Sequence, residues 1–172
     1  SSAVDDSGNT AVGAQALYSL NGSGTTANTG IGMEAGFYNA TGANNTAVGY
    51  NAMKGASGES NSNNTAVGKD ALLDITTGAG NVAIGASAGA NITSTNYNTA
   101  VGFQSMYSAA AGVGNTSLGY ESLKAVEAGG TYNIALGYQA GLAITSADNN
   151  VVIGSSAGNA LTTGAANVTL GT

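Results

Sequence analysis

The chain has 172 residues, of which nine are acidic and three are lysine; none is arginine, histidine, cysteine, proline or tryptophan, and the net charge is −6. Without Cys and His it can build no thiolate–imidazole zinc site, disulfide, Ser-His-Asp triad or Cys-His pair. Three basic residues cannot neutralise a phosphate backbone, and no apolar run approaches the ~18 residues of a membrane span, so neither a nucleic-acid partner nor membrane insertion is expected.

Leu, Ile, Val and Phe together number 30, about 17% of the chain, below the ~20% at which a highly charged chain stays disordered. Here charge is low and proline absent, so that signature is only half met. The 28 glycines, 20 asparagines and 19 threonines instead point to a fold that needs no thick core.

In chain order, Ser1–Gly8 match the tail of a coil. No basic-then-apolar signal segment opens the chain, and its start at Ser rather than Met is expected of a processed product or fragment. From Asn9 to Thr172 an Asn-led unit recurs ten times, at Asn9, Asn28, Asn45, Asn64, Asn81, Asn98, Asn115, Asn133, Asn150 and Asn167, spaced by 17 to 19 residues. The first unit reads NTAVGAQAL. NTGIGMEAG, NTAVGYNAM, NTAVGKDAL, NVAIGASAG, NTAVGFQSM, NTSLGYESL, NIALGYQAG, NVVIGSSAG and a truncated NVTLGT follow. A period near 20 residues implies a solenoid, array or fibre. We divide the chain into 1–8, the tail of a preceding coil or an N-terminal segment, and 9–172, one repeat domain with a truncated last coil.

Within each unit, Thr, Val or Ile follows the Asn, a small residue comes next, and Val, Ile or Leu stands third. That alternation predicts a strand of about four residues with one apolar face. We expect the Thr and Val ranks to point inward. The fourth residue is always Gly, namely Gly13, Gly32, Gly49, Gly68, Gly85, Gly102, Gly119, Gly137, Gly154 and Gly171, which predicts a corner of positive φ or close backbone approach. The seventh is Ala or Ser, so space is tight there.

Eight after the Asn the residues run Leu, Gly, Met, Leu, Gly, Met, Leu, Gly, Gly. Eleven after it eight of nine are apolar, Asn39 being the exception. Both Met coils carry Ala at the later position (Ala56, Ala109), and three of four Gly coils carry Ile or Leu there. This reads as volume compensation in a narrow interior. The rest of each coil, rich in Gly, Ser, Asn and Thr, reads as a second short strand with turns. No helical stripe is sustained. The fold class predicted is all-β, a parallel β-solenoid (β-roll) of about ten 17–19-residue coils, forming a rod about 45–50 Å long at the inter-strand spacing.

The units NTAVGxxAL and NVAIGxxAG resemble the head repeats of trimeric autotransporter adhesins (the YadA-like head) and the related repeats of bacteriophage tail fibres, over residues 9–172. The resemblance implies a left-handed parallel β-roll, a homotrimer packed side by side, and a surface-exposed adhesive or receptor-binding rod, extracellular on a virion tail fibre or bacterial surface. The Ala rank (Ala11, Ala47, Ala66, Ala83, Ala100, Ala135) is expected to let neighbouring chains approach closely. These coils are longer than the adhesin repeat of nearer fourteen residues. No neck, heptad stalk or anchor barrel is present, absences that fit a segment of viral fibre better than an adhesin.

No catalytic, cofactor-binding or metal residues are expected. The Asn rank is read as a stacked amide ladder. Phe103, Tyr120 and Tyr138, five residues after the Asn in consecutive coils, are the candidate receptor contact for a host glycan or protein, beside the simpler reading of mutual stacking or burial between chains. Asp5 and Asp6 are adjacent and Asp148 lies near the other end, too few carboxylates for a calcium site within the repeats. Asp70 with Asp74, and Glu121 with Glu127, read as surface charge. The Asn-Xaa-Ser/Thr sequons at Asn21, Asn39 and Asn91 carry no weight in a chain this rich in Asn and Thr. Neither end reads as a polar cap, so contact with adjacent domains or identical rods is expected at both.

The expected function is thus a non-enzymatic structural fibre or adhesive rod. A self-assembling filament or sheath subunit joined end to end is the alternative. An ice-binding solenoid ranks lower, because Thr10, Thr29, Thr46, Thr65, Thr99 and Thr116 are expected to face inward, and a polysaccharide lyase ranks last.

Overall fold

A computed structural model describes residues 8–21, 26–58, 60–108, 112–127 and 129–171; Asp5, Asp6 and Ala109 lie outside them. It contains ten strands of three residues each: β1 Thr10–Val12, β2 Thr29–Ile31, β3 Thr46–Val48, β4 Thr65–Val67, β5 Val82–Ile84, β6 Thr99–Val101, β7 Thr116–Leu118, β8 Ile134–Leu136, β9 Val151–Ile153 and β10 Val168–Leu170. Each pairs in parallel with the next, in chain order. Together they form one wall of a β-solenoid of about nine turns, with roughly 17 residues per turn. The register holds throughout: Thr10 lies opposite Thr29, Thr46 opposite Thr65, and Ile134 opposite Val151. The spacing of 17 to 19 residues is therefore absorbed outside the strands.

A second strand per coil does not form among the described residues, which outside the ten strands hold isolated bridge positions alone, Ser62 and Ala79 among them. The backbone explains why. The sixth and eighth residues after each Asn take positive φ, as at Asn51 (54°) and Met53 (54°), or Asp70 (56°) and Leu72 (47°). A chain that enters the left-handed region at alternate residues curls and cannot extend. The curled segment still bonds coil to coil: the Met53 N–H donates to the Ala71 carbonyl (2.8 Å) and the Leu72 N–H to that of Ala88 (3.0 Å).

The strands turn the opposite way from the expectation. In β2 to β9 the middle residue is buried, with Ala66, Ala83, Ala100 and Val152 all at 0% exposure, while the residues on either side face outward. Alternation shows that two faces differ, not which one is covered. The interior decides it, because large side chains enter from the turn side: Met53, Leu72, Ile75, Ile92, Met106, Leu123, Val126 and Ile144 are fully buried. Opposite them only an Ala-sized residue fits. At Gly30 even a Cβ would come within 2.8 Å of Leu17 Cγ. From Ala47 to Ala135 the Ala rank therefore lines the inside of the coil and makes no surface for neighbouring chains, while Ala11, in the first strand, is exposed.

The Leu, Gly, Met order now has a physical meaning. Each Gly of that rank after a Leu coil receives that Leu: a Cβ on Gly36, Gly89 or Gly141 would meet Cδ2 of Leu17 (2.7 Å), Leu72 (3.1 Å) or Leu123 (3.0 Å). In two of these coils the Ile three residues on fills the same space, with Ile92 Cδ1 at 2.9 Å and Ile144 Cδ1 at 3.0 Å. Where β9 carries Val152 instead of Ala, Gly158 opposite makes room, and Val152 Cγ1 lies 2.9 Å from its Cβ site. Volume is thus traded between coils as well as within one. Ala56 takes no part, being exposed.

Two ranks fix the corners. All ten glycines that close the strands have φ between 111° and 146°, and a Cβ on Gly85 would stand 2.6 Å from the carbonyl oxygen of Gly102 in the next coil. At the other corner the Asn amides run along the inside of the wall. Asn81 Oδ1 accepts from the Asn98 backbone N–H (2.9 Å), and Asn81 Nδ2 donates to the Thr95 carbonyl (2.8 Å). Asn64, Asn98, Asn115 and Asn133 repeat both bonds with their own neighbours. Each amide satisfies buried backbone groups that would otherwise be orphaned.

Candidate functional site

The outer strand face runs the length of the sheet. Its first rank is Thr10, Thr29, Thr46, Thr65, Val82, Thr99, Thr116, Ile134, Val151 and Val168; its second is Val12, Ile31, Val48, Val67, Ile84, Val101, Leu118, Leu136, Ile153 and Leu170. No member of either rank is charged. Ile84 is 41% exposed, Leu118 46% and Leu136 40%. Hydroxyls dominate the first rank in the early coils, and the last three strands present only aliphatic side chains. A continuous apolar face of this kind is what interaction surfaces expose.

The three aromatic residues singled out from the sequence come together in space. The Phe103 and Tyr120 ring centroids lie 5.4 Å apart with planes at 17°, and those of Tyr120 and Tyr138 lie 5.1 Å apart at 7°. All three are about half exposed. Rings this close cannot lie side by side in one plane, so their faces turn to each other. Outward they offer edges and two phenol hydroxyls rather than a flat platform. A second stack joins Tyr18 to Phe37 (5.1 Å), with Tyr38 edge-on to Phe37.

A different aromatic pair escaped the sequence reading. Tyr97 and Tyr132 precede the Asn of coils six and eight and are 70% and 60% exposed. The signal was present: their rank is otherwise Gly8, Ala27, Asn44, Asn63, Gly80, Gly114, Asn149 and Ala166, and a bulky ring there breaks a run of small and amide residues.

The Asn amides are not available to a ligand, since the rank from Asn28 to Asn150 is buried. Asn39, the polar exception in an apolar rank, is buried too and closes its own turn, its Oδ1 accepting from the Gly42 N–H (3.0 Å).

Charge sits away from the strand face. Lys54 pairs with Glu34 (2.6 Å), Lys124 with Glu121 (2.5 Å), and Lys69 with Asp70. The Glu34 contact holds the Lys54 ammonium above its ordinary value, and Asp70 does the same for Lys69. Lys124, then the Gln139 amide, holds Glu121 below the usual carboxylate range. The Thr131 hydroxyl and backbone N–H, both donating to Asp148 Oδ1 (2.8 and 2.7 Å), lower Asp148. Among the described residues no three acidic side chains gather as a metal site would require, and no helix is long and apolar enough to cross a membrane.

Three buried serine hydroxyls cluster in the core. Ser105 Oγ donates to Ser117 Oγ (2.8 Å), and Ser117 Oγ donates to the Ser122 carbonyl (2.8 Å). These serines stand where other coils carry core alanines, and their hydroxyls satisfy one another.

Compared with known proteins, the chain matches no family model, no curated protein and no solved structure.

Proposed function

We propose that this chain is a non-catalytic structural rod of an extracellular fibre, a segment of a phage tail fibre or bacterial surface adhesin, assembling side by side as a homotrimer and displaying a surface to a host glycan or protein receptor. The observation that carries this reading is the outer strand face: uncharged throughout, with an aliphatic second rank continuous over ten coils, in a chain of net charge −6. Copies of an acidic chain repel wherever their charges meet, so an uncharged face is where they can join. Joining there would also remove Val, Ile and Leu side chains from water, at about 25 cal/mol per Å². The NTAVGxxAL units, with their resemblance to fibre and adhesin heads, point the same way.

Sedimentation equilibrium tests the reading. The expected mass is three times the 16.4 kDa of one chain, and Ile84→Lys with Leu118→Lys should yield a folded monomer. A stable wild-type monomer at micromolar concentration would overturn it.

The outward threonines favour a second reading. Ice binding needs an outward hydroxyl array, and Thr10, Thr29, Thr46, Thr65, Thr99 and Thr116 face outward, contrary to the expected inward orientation. Their rank is broken by Val82 and ends at Thr116, which makes the hydroxyl array shorter than the apolar one. Thermal hysteresis by the wild-type chain, lost in Thr46→Lys, would replace the fibre reading with this one.

A further inference from the structure

We propose that Tyr97 and Tyr132 form a two-ring binding site for a neutral, extended β-1,4-linked polysaccharide lying parallel to the rod axis. The inference rests on the display-rod reading for its biological setting, and on separate observations for its chemistry.

The first observation is register. The Tyr97 N–H donates to the Ala79 carbonyl, that of Gly114 to Asn96, and that of Tyr132 to Val113, so the residues before the Asn stack in line. Within that line Gly and Tyr alternate: Gly80, Tyr97, Gly114, Tyr132. The rings are therefore two coil rises apart, about 9.6 Å at the inter-strand spacing. That span matches alternate pyranose rings of an extended β-1,4 chain, which turn the same face to one side. Adjacent rings at a single rise would stack on each other, as Phe103, Tyr120 and Tyr138 do. The intervening Gly114 prevents this, and it and Gly80 each receive a ring edge: a Cβ on Gly80 would meet Tyr97 Cδ1 at 2.8 Å, and one on Gly114 would meet Tyr132 Cδ1 at 2.8 Å. Neither tyrosine takes part in an aromatic pair among the described residues, so their faces stay open for the C–H face of a sugar.

The second observation is backbone strain. Tyr97 has φ of 60° and Tyr132 of 56°. That region suits Gly and Asn and is an outlier for a bulky side chain. Asn holds the same place at Asn63 and Asn149, with φ of 59° and 57°. Tyrosine at two such positions disfavours folding relative to Gly or Asn, and unlike Met53 and Leu72, whose left-handed φ delivers them to the core, both rings are exposed. Both flanking amides are exposed and uncharged, able to bond sugar hydroxyls.

The test uses the full chain with cellohexaose, chitohexaose and the curved α-1,4 control maltohexaose, followed by tyrosine fluorescence, which no tryptophan masks. At least one β-1,4 hexamer should bind and maltohexaose should not. A trisaccharide, the shortest to reach both rings, should bind more tightly than the disaccharide. Tyr97→Asn and Tyr132→Asn should each weaken binding about fivefold or more while raising Tm, because Asn relieves the strain; Tyr97→Phe should retain affinity within about twofold. Failure of both β-1,4 hexamers to bind, or unchanged affinity in the Asn variants, overturns the proposal. Sedimentation on the same samples reports separately on the rod reading, so either can fail alone.

Discussion

The strand side and the turn side of each coil obey different rules. On the strand side the sequence scarcely varies: Asn, a β-branched residue, a small residue, an aliphatic one, Gly. Those positions answer to backbone geometry, which repeats identically in every coil. On the turn side Leu, Gly and Met exchange freely from coil to coil, yet this is where most of the large core side chains come from. Those positions answer to volume, and volume can be shared with the coil above. The invariant Asn and Gly ranks therefore mark backbone constraints here, while the variable rank supplies large side chains that meet the small strand residues in the core.

Four substitutions put that contrast to the test. The largest effect is expected on the strand side. Gly85→Ala imposes a Cβ both on φ of 130° and on the Gly102 carbonyl at 2.6 Å, and backbone cannot swing aside as a side chain can. Denaturant unfolding should register a loss of about 4 kcal/mol or more; a loss under about 1 kcal/mol would show that the corner is softer than its geometry implies.

On the turn side the expectation is smaller and non-additive. Leu72→Ala, at a fully buried site, should destabilise by about 3–4 kcal/mol. Gly89→Ala forces a Cβ against Leu72 Cδ2 and Ile92 Cδ1 at 3.1 and 2.9 Å, and should destabilise by about 1–3 kcal/mol. In the double variant the Leu72 contact is gone, so the two losses should fall short of their sum by about 1 kcal/mol. Strict additivity would mean that the coils do not share volume.

The smallest effect concerns Asp148. Its folded pKa lies below the ordinary value of 3.8, held there by the Thr131 hydroxyl and N–H. A lowered pKa means that the contribution is fully present above the unfolded value and is lost as pH falls through the folded one. Tm of the wild type should therefore drop more steeply than that of Asp148→Asn below about pH 4, and the two should run parallel from there to neutrality.

The repeat period, the parallel solenoid and the Gly corners were legible in the sequence, because each recurs at a fixed interval and depends on local backbone chemistry. The Asn ladder could be read for the same reason: a rank of amides at coil spacing has neighbours above and below. Which strand face is covered could not be read. Thr-Ala-Val alternates equally well with either face inward, and the choice depends on what the far side of the coil delivers. Leu123 and Ile144, reaching across from the turns, converge with the strand residue Ala135 on one space beside Gly141. Nor could the turn conformation be read, because left-handed φ at Met53 and Leu72 is imposed by the closure of the coil against the preferences of those residues. How often the chain turns and where its corners lie follow from residue order alone. The tertiary structure alone decided what faces water, because burial is settled by the volume of side chains that meet only once the coil has closed.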